Sequence, residues 1–61
     1  MSAKTIVVDE YPEAISVKDD NNWSVMVDNK CIGIGKTENV AWNIAKSHVL
    51  KKVMRRVFEN L

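Results

Sequence analysis

Between Thr37 and Leu61 the chain contains neither glycine nor proline. Thr37 stands where a helix N-cap is needed and Glu38 falls in the first turn, so the stretch predicts one unbroken helix. At ~1.5 Å per residue, about 24 residues make a rod of roughly 36 Å, whereas a strand of five or six residues spans only ~17–20 Å. Whatever the preceding residues build, half of this helix is expected to overhang it. On a helical wheel started at Val40 and turned by about 100° per residue, Val40, Ala41, Ile44 and Ala45 gather at about 70°. Leu50, Val53, Met54, Val57, Phe58 and Leu61 centre at about 280°, roughly the opposite side. A helix packed straight on one sheet leaves that second stripe in water, so something must cover it.

Three covers are compatible with the pattern. The preferred one is a second copy of the chain. Leu50, Val53 and Val57 follow a-d-a spacing, and Met54, Phe58 and Leu61 broaden the seam. The others are a break between His48 and Leu50 that folds the tail back over the N-terminal strand, and a surface kept for a different protein, with Met54 as an adaptable contact. The reading is a single domain over residues 1–61 in which 50–61 form a helical dimerisation segment.

Ahead of the helix, alternation points to strands. Trp23, Val25 and Val27 face one way while Ser24, Met26 and Asp28 face the other, Ile15 and Val17 alternate with Ser16 and Lys18, and Asp19-Asp20-Asn21-Asn22 supplies a polar turn. Asn29-Lys30 reads as a tight reversal into a third run. There Ile32 and Ile34 share a face, and Gly33 and Gly35 leave room for a close neighbour or a bulge. The β-branched run Thr5–Val8 predicts a further short strand or an extended arm. The expected class is therefore α+β, a three- or four-stranded antiparallel β-meander followed by one long C-terminal helix.

With 46% hydrophobic and 28% charged residues and a net charge of +1, the composition is that of a globular domain. No apolar run approaches the ~20 residues of a membrane span and the start MSAKTIVV lacks a signal-peptide layout, so no membrane partner and a cytoplasmic location are expected. A chain this short buries only about 60% of its unfolded surface, which makes added burial from a second copy useful. Catalytic chemistry is not evident, and neither an enzyme nor a cofactor is expected. Cys31 and His48 are single and lack a C-x-x-C or H-x-x-x-H partner, which argues against a metal site. Gly33-Ile34-Gly35-Lys36-Thr37 lacks the spacing of a phosphate loop.

Charge is segregated along the chain. Asp9, Glu10, Glu13, Asp19, Asp20 and Asp28 lie in the first half, while His48, Lys51, Lys52, Arg55 and Arg56 form a basic side of the helix that suits nucleic acid or an acidic protein. Trp23 reads as core. Trp42, at about 200° on the wheel, sits near neither stripe and is the candidate for a partly exposed interface anchor.

The segment Trp23 to Leu50 resembles the C-terminal half of the double-stranded-RNA-binding domain family, whose pattern runs strand, hairpin, strand, then GxGxSKKxAKxxAAxxAL opening the last helix. Gly33, Gly35, Thr37, Ala41, Ala45 and Leu50 fall in that register, with Val49 at the last alanine, and the match covers 28 of the 61 residues. The resemblance implies a helix lying close on a sheet through small residues, and an RNA-binding role. The chain departs from it in two places. Glu38, Asn39 and Trp42 stand where the family carries phosphate-gripping lysines, and the fourteen residues before Ile15 leave no evident room for the family's first helix. The expected function is a small non-catalytic homodimeric binding protein that engages a macromolecular partner, foremost another protein, such as a phage or mobile-element regulator or inhibitor of a host protein, a setting read only from a Met-initiated chain of this size. The alternative is a module that binds double-stranded RNA or DNA through the basic helix face.

Overall fold

A computed structural model of the chain describes residues 2–59. Helix α1 (Ala3–Glu10) leads into an antiparallel sheet of β1 (Ile15–Lys18), β2 (Trp23–Val27) and β3 (Lys30–Gly35) in the order β1-β2-β3, and helix α2 (Glu38–Glu59) closes the fold. The α+β class, the three-strand meander and the long C-terminal helix are as expected. The fourth strand is not: Thr5–Val8 belongs to α1. Ser2 caps this helix by accepting a hydrogen bond from the Thr5 amide at 3.2 Å. Ala3, Ile6, Val7 and Tyr11 then recur at helical spacing and pack into the core, Val7 completely buried. An isolated helix of eight residues is marginal, so tertiary burial overrides the β propensity of its branched residues. The fourteen residues before Ile15 therefore do hold a first helix, contrary to the expectation that they lacked the room.

The β2–β3 hairpin turns on Asp28 and Asn29, one residue earlier than Asn29-Lys30, because Val27 pairs with Lys30. Both turn residues have positive φ, 50° and 65°, the signature of the I′ turn whose twist matches the flanking strands. Short polar side chains tolerate that backbone. A bulge follows, since Val25 pairs with Gly33 but Met26 with Cys31, leaving Ile32 as the extra residue. The bulge separates Ile32 from Ile34: Ile32 turns toward the core, while Ile34 stays on the outer face.

The core lies between the inner face of the sheet and both helices. Val7, Val25, Ala41, Trp42, Ala45 and Val49 form it, with Trp23 and Ile32 packed alongside. Gly33 lets α2 approach, since a β-carbon there would stand 2.7 Å from the Ala45 amide nitrogen. The α2 cap is as expected: the Val40 amide donates to the Thr37 hydroxyl at 3.2 Å. Strand β1 is inverted relative to the usual alternation. Ser16 points inward and donates to a Glu38 carboxylate oxygen at 2.7 Å, while Ile15 and Val17, the apolar side of the alternation, lie exposed on the outer face with Ile34. The molecule measures 43 × 23 × 16 Å, elongated along the helix that overhangs its sheet.

Candidate functional site

Which side of α2 is buried decides what the helix offers to a partner. The buried residues Ala41, Trp42, Ala45 and Val49 centre at about 155° on the helix wheel, about 85° from the side expected to meet the sheet. Of the side expected to meet the sheet, Val40, Ala41 and Ala45 do lie against Gly33 and Gly35 of β3, but Val40 and Ile44 remain about half exposed, at 43% and 45%. Trp42 is the counterpart correction: at 4% exposure it is a core residue and not a partly exposed anchor. The cause is α1, which packs against the side of α2 that sequence left vacant. The signal that would have found it is Ser2 as a cap ahead of Ala3, Val7 and Tyr11 at four-residue spacing. The Trp42 indole Nε1 is buried without a hydrogen-bond partner, and the Lys4 ammonium stands 5.8 Å from the ring centroid.

Beyond Val49 none of the described residues of α2 is buried. Leu50, Val53, Met54, Val57 and Phe58 are exposed, Phe58 to 70%, and α2 runs unbroken through them. The break between His48 and Leu50 does not occur, and the tail does not fold back over its own sheet. Leu61, the last residue of the expected seam, lies outside the described residues. Ile44 and the exposed part of Val40, whose side chain also packs on Gly35 of β3, continue this apolar stripe toward the start of α2.

The basic residues occupy the flank between this stripe and the buried side. Two are tied to the end of α1: Arg56 Nη2 donates to Glu10 Oε1 at 2.7 Å, and Lys52 Nζ donates to the Tyr11 hydroxyl at 2.7 Å while standing 4.9 Å from its ring centroid. Both contacts are largely in solvent, so each contributes no more than about 1 kcal/mol. His48, Lys51, Lys52 and Arg55 line a shallow concavity that no carboxylate of the described residues enters. An adjoining hollow shares His48 and Lys52 and extends to the hairpin at Asp28, Lys30 and Cys31. Cys31 and His48 face the same hollow, yet the thiol donates to the Gly33 carbonyl at 3.4 Å. Among the described residues no three His, Cys, Asp or Glu side chains gather as a metal site, and no helix is long and apolar enough to cross a membrane. Comparison of the chain with protein-family models, with curated proteins and with solved structures finds no match in any of the three.

Proposed function

We propose that the protein is a non-catalytic binding module that acts as a homodimer and engages a macromolecular partner. The observation that carries this reading is the uncovered row Leu50, Val53, Met54, Val57 and Phe58 on a continuous helix. Five apolar side chains on one rigid element are a costly surface to leave in water, and a two-fold axis satisfies such a patch with its own copy. With the apolar stripe used for assembly, the basic flank stays open to the partner. Replacing Val53 and Val57 together by Asp leaves the sheet and its circular dichroism intact, because both side chains are exposed, and converts dimer to monomer in sedimentation. An unchanged dimer mass in that variant, or a wild-type chain that is monomeric at about 100 µM, refutes the reading.

Within this proposal a nucleic-acid partner is the second reading, set against a protein partner. The concavity formed by His48, Lys51, Lys52 and Arg55, with no acidic residue in its described wall, favours it. A helix ahead of β1, as in the double-stranded-RNA-binding pattern, supports this reading. Glu38, Asn39 and Trp42 still stand where that pattern has its lysines, so the basic flank near the tail, and not the start of α2, is where phosphates would be held.

A further inference from the structure

The apolar stripe of α2 is longer than the tail, because Val40 and Ile44 extend it toward the start of the helix. From ordinary side-chain areas, the exposed parts of the five tail residues come to roughly 500 Å² per copy, so two copies bury at most about 1000 Å², short of the ~1200 Å² at which stable interfaces begin. With Val40 and Ile44 the exposed stripe comes to roughly 650 Å² per copy, which raises the most that two copies can bury to about 1300 Å², past that threshold. A dimer using the whole stripe has two ways to run. Parallel helices align the two helix dipoles side by side, whereas antiparallel helices oppose them, which favours the antiparallel arrangement. That arrangement also covers each overhanging tail with the partner's supported half, so that Phe58 lies over Val40 and Met54 over Ile44.

The direction of pairing also decides where the basic flanks go. Arg55 and His48 lie on the wheel a quarter turn or more round from the middle of the stripe, and Lys51 lies at the edge of the stripe between Val40 and Ile44. In an antiparallel pair the two-fold axis is perpendicular to the helices, and both flanks fall on the same side of the pair. In a parallel pair the axis runs along the helices and the flanks fall on opposite sides. We infer, resting on the homodimer reading above, that two α2 helices pair antiparallel from Val40 to Phe58 and that the pair fuses the two basic flanks into one strip that takes a nucleic-acid phosphate backbone across the two-fold axis. With the axis near residue 49, the two Arg55 positions lie about 18 Å apart along the helices, the length of roughly five base-pair steps at ~3.4 Å each. Lys30 of the hairpin lines the hollow that adjoins each flank, together with Asp28. The basic concavity itself is walled by His48, Lys51, Lys52 and Arg55, and Tyr11, Val27 and Ile32 stand in the adjoining hollow. Concentrated positive charge with no carboxylate in the same wall is what a phosphate backbone requires.

Two measurements on the full chain test this. In a Cys31→Ser background, Val40→Cys and Phe58→Cys proteins are mixed under oxidising conditions. The antiparallel pair yields the mixed disulfide, whereas self-linking of each variant alone marks a parallel pair and overturns the inference. Anisotropy titrations then use 20-base-pair DNA, 20-base-pair RNA, a 20-mer single strand and poly-glutamate at about 0.05–0.2 M salt. The wild-type dimer is expected to bind at least one nucleic acid with a log–log salt slope of about −4 to −7, the backbone bound most tightly naming its source. Lys51→Gln/Arg55→Gln stays dimeric and loses at least tenfold in affinity. Met54→Asn/Val57→Asn keeps every cation, turns monomeric, and loses at least tenfold as well. Equal binding by that monomer, poly-glutamate bound as tightly as nucleic acid, or a dimer that binds no nucleic acid overturns the inference while the homodimer reading stands. A monomeric wild-type chain overturns both.

Discussion

Replacing Gly33 by alanine tests the contact that fixes α2 on the sheet and thereby sets which side of the helix faces solvent. An added β-carbon meets the Ala45 amide nitrogen at 2.7 Å and the Ala45 β-carbon at 3.0 Å, and presses still closer on the Ala41 carbonyl oxygen. Ordinary contact begins at 3.4 Å, so α2 has to lift by ~0.7 Å or more, and a gap of that size forfeits a quarter to a half of the dispersion attraction of every atom pair it opens. Overpacking costs about 1–3 kcal/mol, and the upper end applies because the obstacle is helix backbone and not a flexible side-chain tip. Alanine restricts the unfolded chain and returns about 0.4–1 kcal/mol. The net loss is about 2 kcal/mol, from a domain whose whole stability at this length is on the order of 3–9 kcal/mol. For about 60 residues each kcal/mol moves the melting temperature by ~8 °C, so the expected drop is about 16 °C. The assay is thermal unfolding followed by circular dichroism at one fixed protein concentration, since dimerisation makes the melting point concentration-dependent. Ile34→Ala, at the exposed neighbour, is the control. A Gly33→Ala protein melting within ~5 °C of wild type refutes the close approach of α2 to β3 and the assignment of its buried side that follows.

Two further expectations concern local signals. Thr37→Ala removes the acceptor of the Val40 amide and is expected to destabilise by about 1 kcal/mol in urea titration with an unchanged slope against urea; no loss means that the cap is not formed in solution. Asn29→Val forces a β-branched residue into φ of 65° and is expected to cost about 1–2 kcal/mol, whereas the same replacement at exposed Asn21 costs less than ~0.5 kcal/mol, and equal effects at the two sites contradict the I′ turn.

The residues that define the candidate site were partly legible before the fold was known. Leu50, Val53, Met54, Val57 and Phe58 stand out because their spacing is a property of a single helix, and the structure leaves them in solvent as that spacing implies. Their continuation through Val40 and Ile44 was not legible. Those two residues form a stripe with Ala41 and Ala45 that does meet the sheet at Gly33 and Gly35, and helical periodicity does not say how much of that arc the sheet leaves in solvent. Trp42 illustrates the same limit. Its wheel position between the stripes is the position of an exposed anchor in a one-helix fold and of a core residue once α1 stands beside it.

By itself the sequence determined what depends on neighbours along the chain. The long C-terminal helix follows from the absence of glycine and proline and from the Thr37 cap, β2 from strict alternation, and the hairpin, to within one residue, from its polar turn. The tertiary structure decided what depends on neighbours across the fold: that Thr5–Val8 coils into α1, that β1 presents Ile15 and Val17 outward, that the Ile32 bulge splits what alternation reads as one strand face, and that α2 buries the arc near Trp42. The division has one physical reason. Caps, turns and periodicity are set by interactions a few residues apart, whereas the choice of buried face is a contest over apolar surface, and its outcome depends on which elements the chain brings together.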